Sequence, residues 1–159
     1  MRNSTITIRQ AQSGDVEAMI AVVAEVFEPA SLESYIAKAI GQAPVPWLEL
    51  KAQSIRDEFA ASPAGCFVAV AGGKVVGGVT TCISPRLARG TVSNLAVSKA
   101  VQGKGVGRRL IERCLDYFRS LGLKQARIDT LECNEAGKHL YPQLGFREVM
   151  RHVHYVMPL

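Results

Sequence analysis

One stretch limits what this chain can fold into. Val92-Ser-Asn-Leu-Ala-Val97 is a short β-prone run, Gly103, Gly105 and Gly107 follow at alternate positions, and Val106, Leu110, Ile111, Leu115, Phe118 and Leu121 then recur at the spacing of one buried helix face. The order is strand, glycine loop, helix, with the helix running from about Gly105 to Leu121. Three glycines at the start of a helix let a ligand approach the backbone closely, and the first helical turn carries N–H groups without intrahelical partners. A site of that kind binds anions, phosphate above all.

The charge distribution points the same way. Residues 86–113 hold seven Lys or Arg (Arg86, Arg89, Lys99, Lys104, Arg108, Arg109, Arg113) against one acid, Glu112, so this segment carries +6 of a net +5 and the rest of the chain −1. Arg108 and Arg109 fall in the first helical turn, where the helix dipole disfavours cations unless an anion compensates. A basic patch confined to the glycine loop fits a small polyanionic ligand. It lacks the interleaved aromatics of a stacking surface, which argues against nucleic acid.

Three phosphate motifs are to be separated. The Gly-x-x-x-x-Gly-Lys-Ser/Thr run of a P-loop is absent, and a dinucleotide fingerprint would need a glycine at Arg108, although Asp129 lies near the distance of a ribose-binding acid. Gln102-x-x-Gly105-x-Gly107 after a Leu-Ala-Val strand instead resembles the Arg/Gln-x-x-Gly-x-Gly/Ala signature of the GNAT superfamily of N-acetyltransferases. A second block, Asn134-x-Ala136-x-x-x-Leu140-Tyr141-x-x-x-Gly145-Phe146, is similar to that family's other recurrent segment.

The resemblance implies acetyl-CoA as cosubstrate and direct attack of a primary amine, on a small molecule or a peptide, on the thioester. It further implies that Gln102, Gly103, Lys104, Gly105, Val106, Gly107 and Arg108 hold the pyrophosphate, and that the main chain of Leu95, Ala96 and Val97 holds the pantetheine arm. Asn134 would bond that arm or stabilise a helix start, and Tyr141 would point its hydroxyl at the thioester sulfur. A homodimer is compatible with the resemblance.

Acyl transfer needs an unprotonated amine, a polarised carbonyl and a protonated leaving sulfur. Many relatives carry a glutamate just before the Asn-Leu-Ala-Val segment, and here that position is Ser93, which is no simple base. Glu132 and Cys133 at the end of the next strand, His139, or a water chain past Ser93 and Asn94 are the replacements open to the sequence. The alternative is a catalytically silent acyl-CoA-binding or sensing domain. Glu25, Glu28 and Glu33, around the first helix break, could receive a cationic substrate.

At 159 residues, 48% hydrophobic and 21% charged, the chain reads as one globular domain over 1–159. The start lacks a continuous apolar signal region and no run approaches the roughly 20 apolar residues needed to span a bilayer, so the expectation is a cytoplasmic protein without a membrane segment. Four scattered cysteines form no Cys-x-x-Cys pair. Cys66, Cys82 and Cys114 read as small core residues. His152 and His154 share a strand face without a third ligand, so no metal site is expected.

In chain order, residues 5–9 alternate as a strand, a helix starts after Ser13 and ends at Pro29, Ser31 caps a second helix that Gly41 stops, and a third runs from about 46 to 61. Residues 66–71 and 74–83 form an antiparallel hairpin about Gly72-Gly73, residues 84–90 a loop, and 91–97 the strand before the glycines. A strand over 124–131, a helix from about Asn134 and two last strands over 146–150 and 152–157 complete an α/β (α+β) fold with a mixed central sheet flanked by helices.

Overall fold

The computed structural model describes residues 5–27 and 31–159. Residues 1–4 and 28–30, with the helix stop expected at Pro29 and the candidate Glu28, lie outside the described residues. Among the described residues five strands form one sheet in chain order: β1 (Thr7–Gln10), β2 (Phe67–Ala71), β3 (Lys74–Ser84), β4 (Arg89–Val97) and β5 (Gln125–Arg127). The first four pair antiparallel and β4 pairs β5 in parallel, which makes the sheet mixed as the sequence implies. The helices are α1 (Val16–Phe27), α2 (Leu32–Ile40), α3 (Trp47–Ala61), α4 (Val106–Ser120) and α5 (Glu135–Gln143).

Local chemistry accounts for most boundaries. The Ser31 hydroxyl accepts from the Ser34 amide while the Ser34 hydroxyl accepts from the Ser31 amide, both at 3.1 Å, a reciprocal cap that starts α2. Gly72 and Gly73, at φ 55° and 78°, make the two-residue turn whose backbone twist suits the flanking β2 and β3.

The sheet separates two apolar layers. On one face α4 buries Val106, Leu110, Ile111, Cys114 and Phe118 against Phe67, Val79 and Val92. On the other, α1 and α3 bury Val16, Ile20, Val23, Ala52 and Ile55 against Ala96. Burial pushes the Cys114 thiol upward and that of Cys66 up to about 11, so both pack as small apolar side chains. Cys82, expected among them, is exposed instead.

Three expectations change. β4 begins at Arg89, so part of the loop read over 84–90 belongs to the strand. β5 covers only Gln125–Arg127 rather than 124–131. The two last strands do not form: residues 147–159 carry no regular structure and are exposed, Val149 to 90% and Tyr155 to 91%. Alternating apolar residues supply a face, but a strand also needs a neighbour's N–H and C=O groups, and the ladder at this edge ends with Arg127. Among the described residues no helix is long and apolar enough to cross a membrane.

Candidate active site

The β4–β5 ladder stops at Thr91↔Arg127, whereas β4 continues to Val97 paired only with β3. The two strands diverge there and leave one edge of β4 open. The Ser98 amide donates to the Val76 carbonyl of β3 at 2.9 Å, so the alternation of a strand turns the N–H and C=O of Val97 and Leu95 toward the open edge. Ala96, between them, faces β3 with its backbone and the α1–α3 layer with its side chain.

The divergence coincides with a bulge. From Gly78↔Ala96 to Thr80↔Ser93 the register advances by two residues on β3 and three on β4, and Asn94, within that step, has φ 42°. Asparagine tolerates the left-handed region better than most residues, and a bulge bends and twists its strand. The Asn94 amide is held from below: its Nδ2 donates to Oε2 of Glu58 at 2.7 Å and to Oγ1 of Thr80 at 3.1 Å, while the Thr80 hydroxyl donates to the same Glu58 oxygen. Thr80 is fully buried.

Glu58 is the residue that the sequence reading missed. Its signal was an acid three residues after Ile55 and six after Ala52, on the face of α3 that packs inward. Ser93, where a glutamate was expected, pairs across to Thr80 and points its hydroxyl at Cys82 Sγ, 3.8 Å away. Burial, followed by the charge of Glu58, raises the Cys82 thiol above its usual range, which places Glu58, Cys82 and Ser93 in one neighbourhood.

Beyond Val97 the glycine loop reaches α4. Gly103 and Gly105 take φ of 76° and 72° with open space where a Cβ would stand, so glycine serves their left-handed backbone here. Gly105 is the N-cap, and its carbonyl accepts the first helical bond from Arg109 N at 3.1 Å. The amides of Val106, Gly107 and Arg108 therefore lack helical partners. Gln102 folds back, its Nε2 donating to the Val97 carbonyl at 2.9 Å, and thereby ties the loop to the open edge.

The neighbouring cations have partners within the chain. Arg108 donates to Gln143 Oε1 at 2.6 Å, Arg109 to the Ile6 carbonyl at 2.9 Å, and Arg113 lies over the Phe67 ring at 5.4 Å. These contacts account for arginines near a helix N-terminus that the sequence reading assigned to an anion alone. Lys104 is exposed on the loop.

Tyr141 lies on α5 beside this loop. It packs against the α4 layer and against Phe146, with ring centroids 6.3 Å apart. Burial raises its phenol above the usual range, a hydrogen bond with Thr130 opposes the shift and the charge of Asp129 adds to it. Asn134 caps α5: its Oδ1 accepts from the Gly137 amide at 3.0 Å and its Nδ2 donates to Thr130 Oγ1 at 2.8 Å.

The other candidates sit elsewhere. Glu132 is 66% exposed between Lys138 and Arg151, and His139 is exposed beside Gln143 at 2.8 Å. Cys133 accepts from the Tyr35 hydroxyl at 3.4 Å, joining α2 to the turn before α5. Glu25 accepts from the Lys99 amide at 2.8 Å and so fastens the turn after β4. The Nε2 atoms of His152 and His154 are 2.9 Å apart at the exposed chain end.

Comparison with known proteins agrees with this arrangement. The chain is 36% identical over 107 residues to a mycothiol acetyltransferase of Tsukamurella paurometabola, covering 58% of this chain and 35% of that protein. It is 30% identical over 69 residues to N-alpha-acetyltransferase 30 of Schizosaccharomyces pombe, covering 43% of this chain and 46% of that protein. The chain thus spans less than half the length of these relatives. The PaiA N-acetyltransferase of Thermoplasma acidophilum, solved in complex with coenzyme A, has the same fold, with a TM-score of 0.72, 20% identity and 90% of each chain covered. The sequence pattern of the Acetyltransferase (GNAT) family matches residues 32–146, and with that match spanning both the diverging strands and the glycine loop, the chain belongs to this family.

Proposed function

We propose that the chain is an N-acetyltransferase that uses acetyl-CoA as cosubstrate and acetylates a primary amine by direct attack on the thioester. One observation carries this reading: the open edge of β4 at Leu95 and Val97 runs directly into the free amides of Val106, Gly107 and Arg108, with Gln102 bonded between them. A strand edge suits an amide-bearing arm and a helix N-terminus suits a pyrophosphate, so the donors present fit the two halves of coenzyme A in the order in which they are joined.

Within this reading the loop amides of residues 103–108 hold the pyrophosphate and Lys104 adds charge. The Leu95 N–H polarises the acetyl carbonyl and Val97 pairs with the pantetheine arm. Tyr141 gives its phenolic proton to the departing sulfur, a role for which burial suits it because a raised phenol stays protonated. The relatives named mycothiol acetyltransferase and N-alpha-acetyltransferase support an amine acceptor.

The test is incubation of the full chain with acetyl-CoA and a panel of small amines and peptides, reading released thiol and acetylated product. Amine-dependent thiol release is expected. Coenzyme A binding without transfer to any amine in the panel would favour the silent acyl-CoA-binding alternative.

A further inference from the structure

We propose that Glu58, reaching across from α3, takes the proton from the acceptor amine and marks the entry of a cationic primary amine into the site. The inference rests on the acetyltransferase reading above. Glu58 is the carboxylate that meets β4 at its bulge: its Oε2 contacts Asn94 at 2.7 Å, and the next residue, Leu95, turns its N–H to the open edge. A base for acyl transfer must stand beside the polarised carbonyl, and the bulge is where β4 presents both the carboxylate's partner and that N–H.

Access supports the same role. Glu58 lines a groove of about 560 Å³ with Asp57, Ser62, Cys82 and Tyr117. Asp57 and Glu58 are the charged side chains of this lining, both acidic, so the groove would draw an ammonium group toward the side of α3 that carries Glu58. The two bonds to Oε2 fix the carboxylate's orientation, as a proton acceptor of defined geometry requires.

The step balances without any further reactant. The ammonium passes one proton to Glu58, which returns it to solvent. The amine lone pair then forms the C–N bond, the C–S bond breaks with its electron pair on sulfur, and the sulfur takes the phenolic proton of Tyr141. Tyr141 is reprotonated by the second proton that nitrogen loses, leaving an amide, a thiol and one released proton.

The experiment compares the wild-type chain with Glu58→Gln, which keeps the size of the side chain and an oxygen for Asn94. Coenzyme A binding is measured by calorimetry and thiol release from acetyl-CoA with the amine panel across pH. In the variant, coenzyme A affinity should stay within about twofold while turnover at neutral pH falls by about 10²-fold or more. Its residual rate should climb about tenfold per pH unit as solvent hydroxide replaces the lost acceptor. Wild-type turnover with an unchanged profile in the variant would overturn the role of Glu58 and leave the transferase reading intact. Parallel loss of coenzyme A affinity and turnover would make Glu58 an anchor of the bulge only. A wild type that binds coenzyme A but acetylates no amine would overturn both readings.

Discussion

Asn94 Nδ2 lies 2.7 Å from Glu58 Oε2, a contact between residues 36 positions apart that joins the bulge of β4 to α3. The bond matters because Asn94 holds a left-handed backbone at φ 42° and Thr80, beneath it, is fully buried. Removing the amide would leave Glu58 and Thr80 short of a donor. Asn94→Ala should therefore destabilise the fold by about 1–3 kcal/mol, the range for a partner lost from a part-buried polar cluster. Urea unfolding followed by circular dichroism measures this, and a change below about 0.5 kcal/mol would show that water replaces the amide without cost.

Ligand binding should appear as stability. Coenzyme A or acetyl-CoA at about 100 times its dissociation constant should stabilise the native state by about 2.7 kcal/mol, whereas NAD and ATP at the same concentration should do much less. Differential scanning fluorimetry reads the shift in Tm. Equal shifts with NAD would favour a dinucleotide site at the same loop.

Gly105→Asp should abolish coenzyme A binding. The N-cap sits at φ 72°, so any L side chain there costs about 1–2 kcal/mol, with aspartate among the better tolerated, and the new charge faces the amides expected to hold a pyrophosphate. Circular dichroism should show a native fold. Normal affinity in a folded variant would move the phosphate site away from α4.

Tyr141→Phe separates packing from acid catalysis, since it keeps the ring that meets Phe146 and removes the phenolic proton. Acetyl-CoA affinity and stability should change little while turnover falls by about 10²-fold. Undiminished turnover, measured where chemistry limits the rate, would leave Tyr141 as a packing residue.

Acid should weaken the start of α1. Asp15 is bonded by Arg9 at 2.6 and 2.9 Å and by the Gln12 amide at 2.8 Å, and the Arg9 bond, first among the causes, holds its carboxyl below the usual range. A lowered folded pKa means that this stabilisation is complete above the unfolded value of about 3.9 and is lost as pH falls through the folded one. Unfolding free energies of wild type and Asp15→Asn should differ at pH 6, and the difference should shrink as the pH falls below about 3.9 and through the lowered folded value.

The stretch from Val92 to Ile111 could be read as strand, loop and helix because glycine spacing, apolar periodicity and helix-start chemistry act over a few residues. The Ser31 cap, the Gly72-Gly73 turn and the boundaries of α3 were legible for the same reason, as was the family resemblance that two such local blocks carry. The length of β5 and the fate of residues 147–159 were not, because alternation identifies a face that can be buried but not whether a neighbouring strand is there to accept its hydrogen bonds. Glu58 was hidden for a stronger reason. On α3 it looks like one acid among several on an amphipathic helix, and it gains its meaning only when packing of Ile55 and Ala52 on the sheet sets its carboxylate beneath Asn94. Short-range periodicity names the elements of this chain, whereas the meeting of a helix carboxylate with a strand bulge depends on contacts between distant segments that only the packed core brings together.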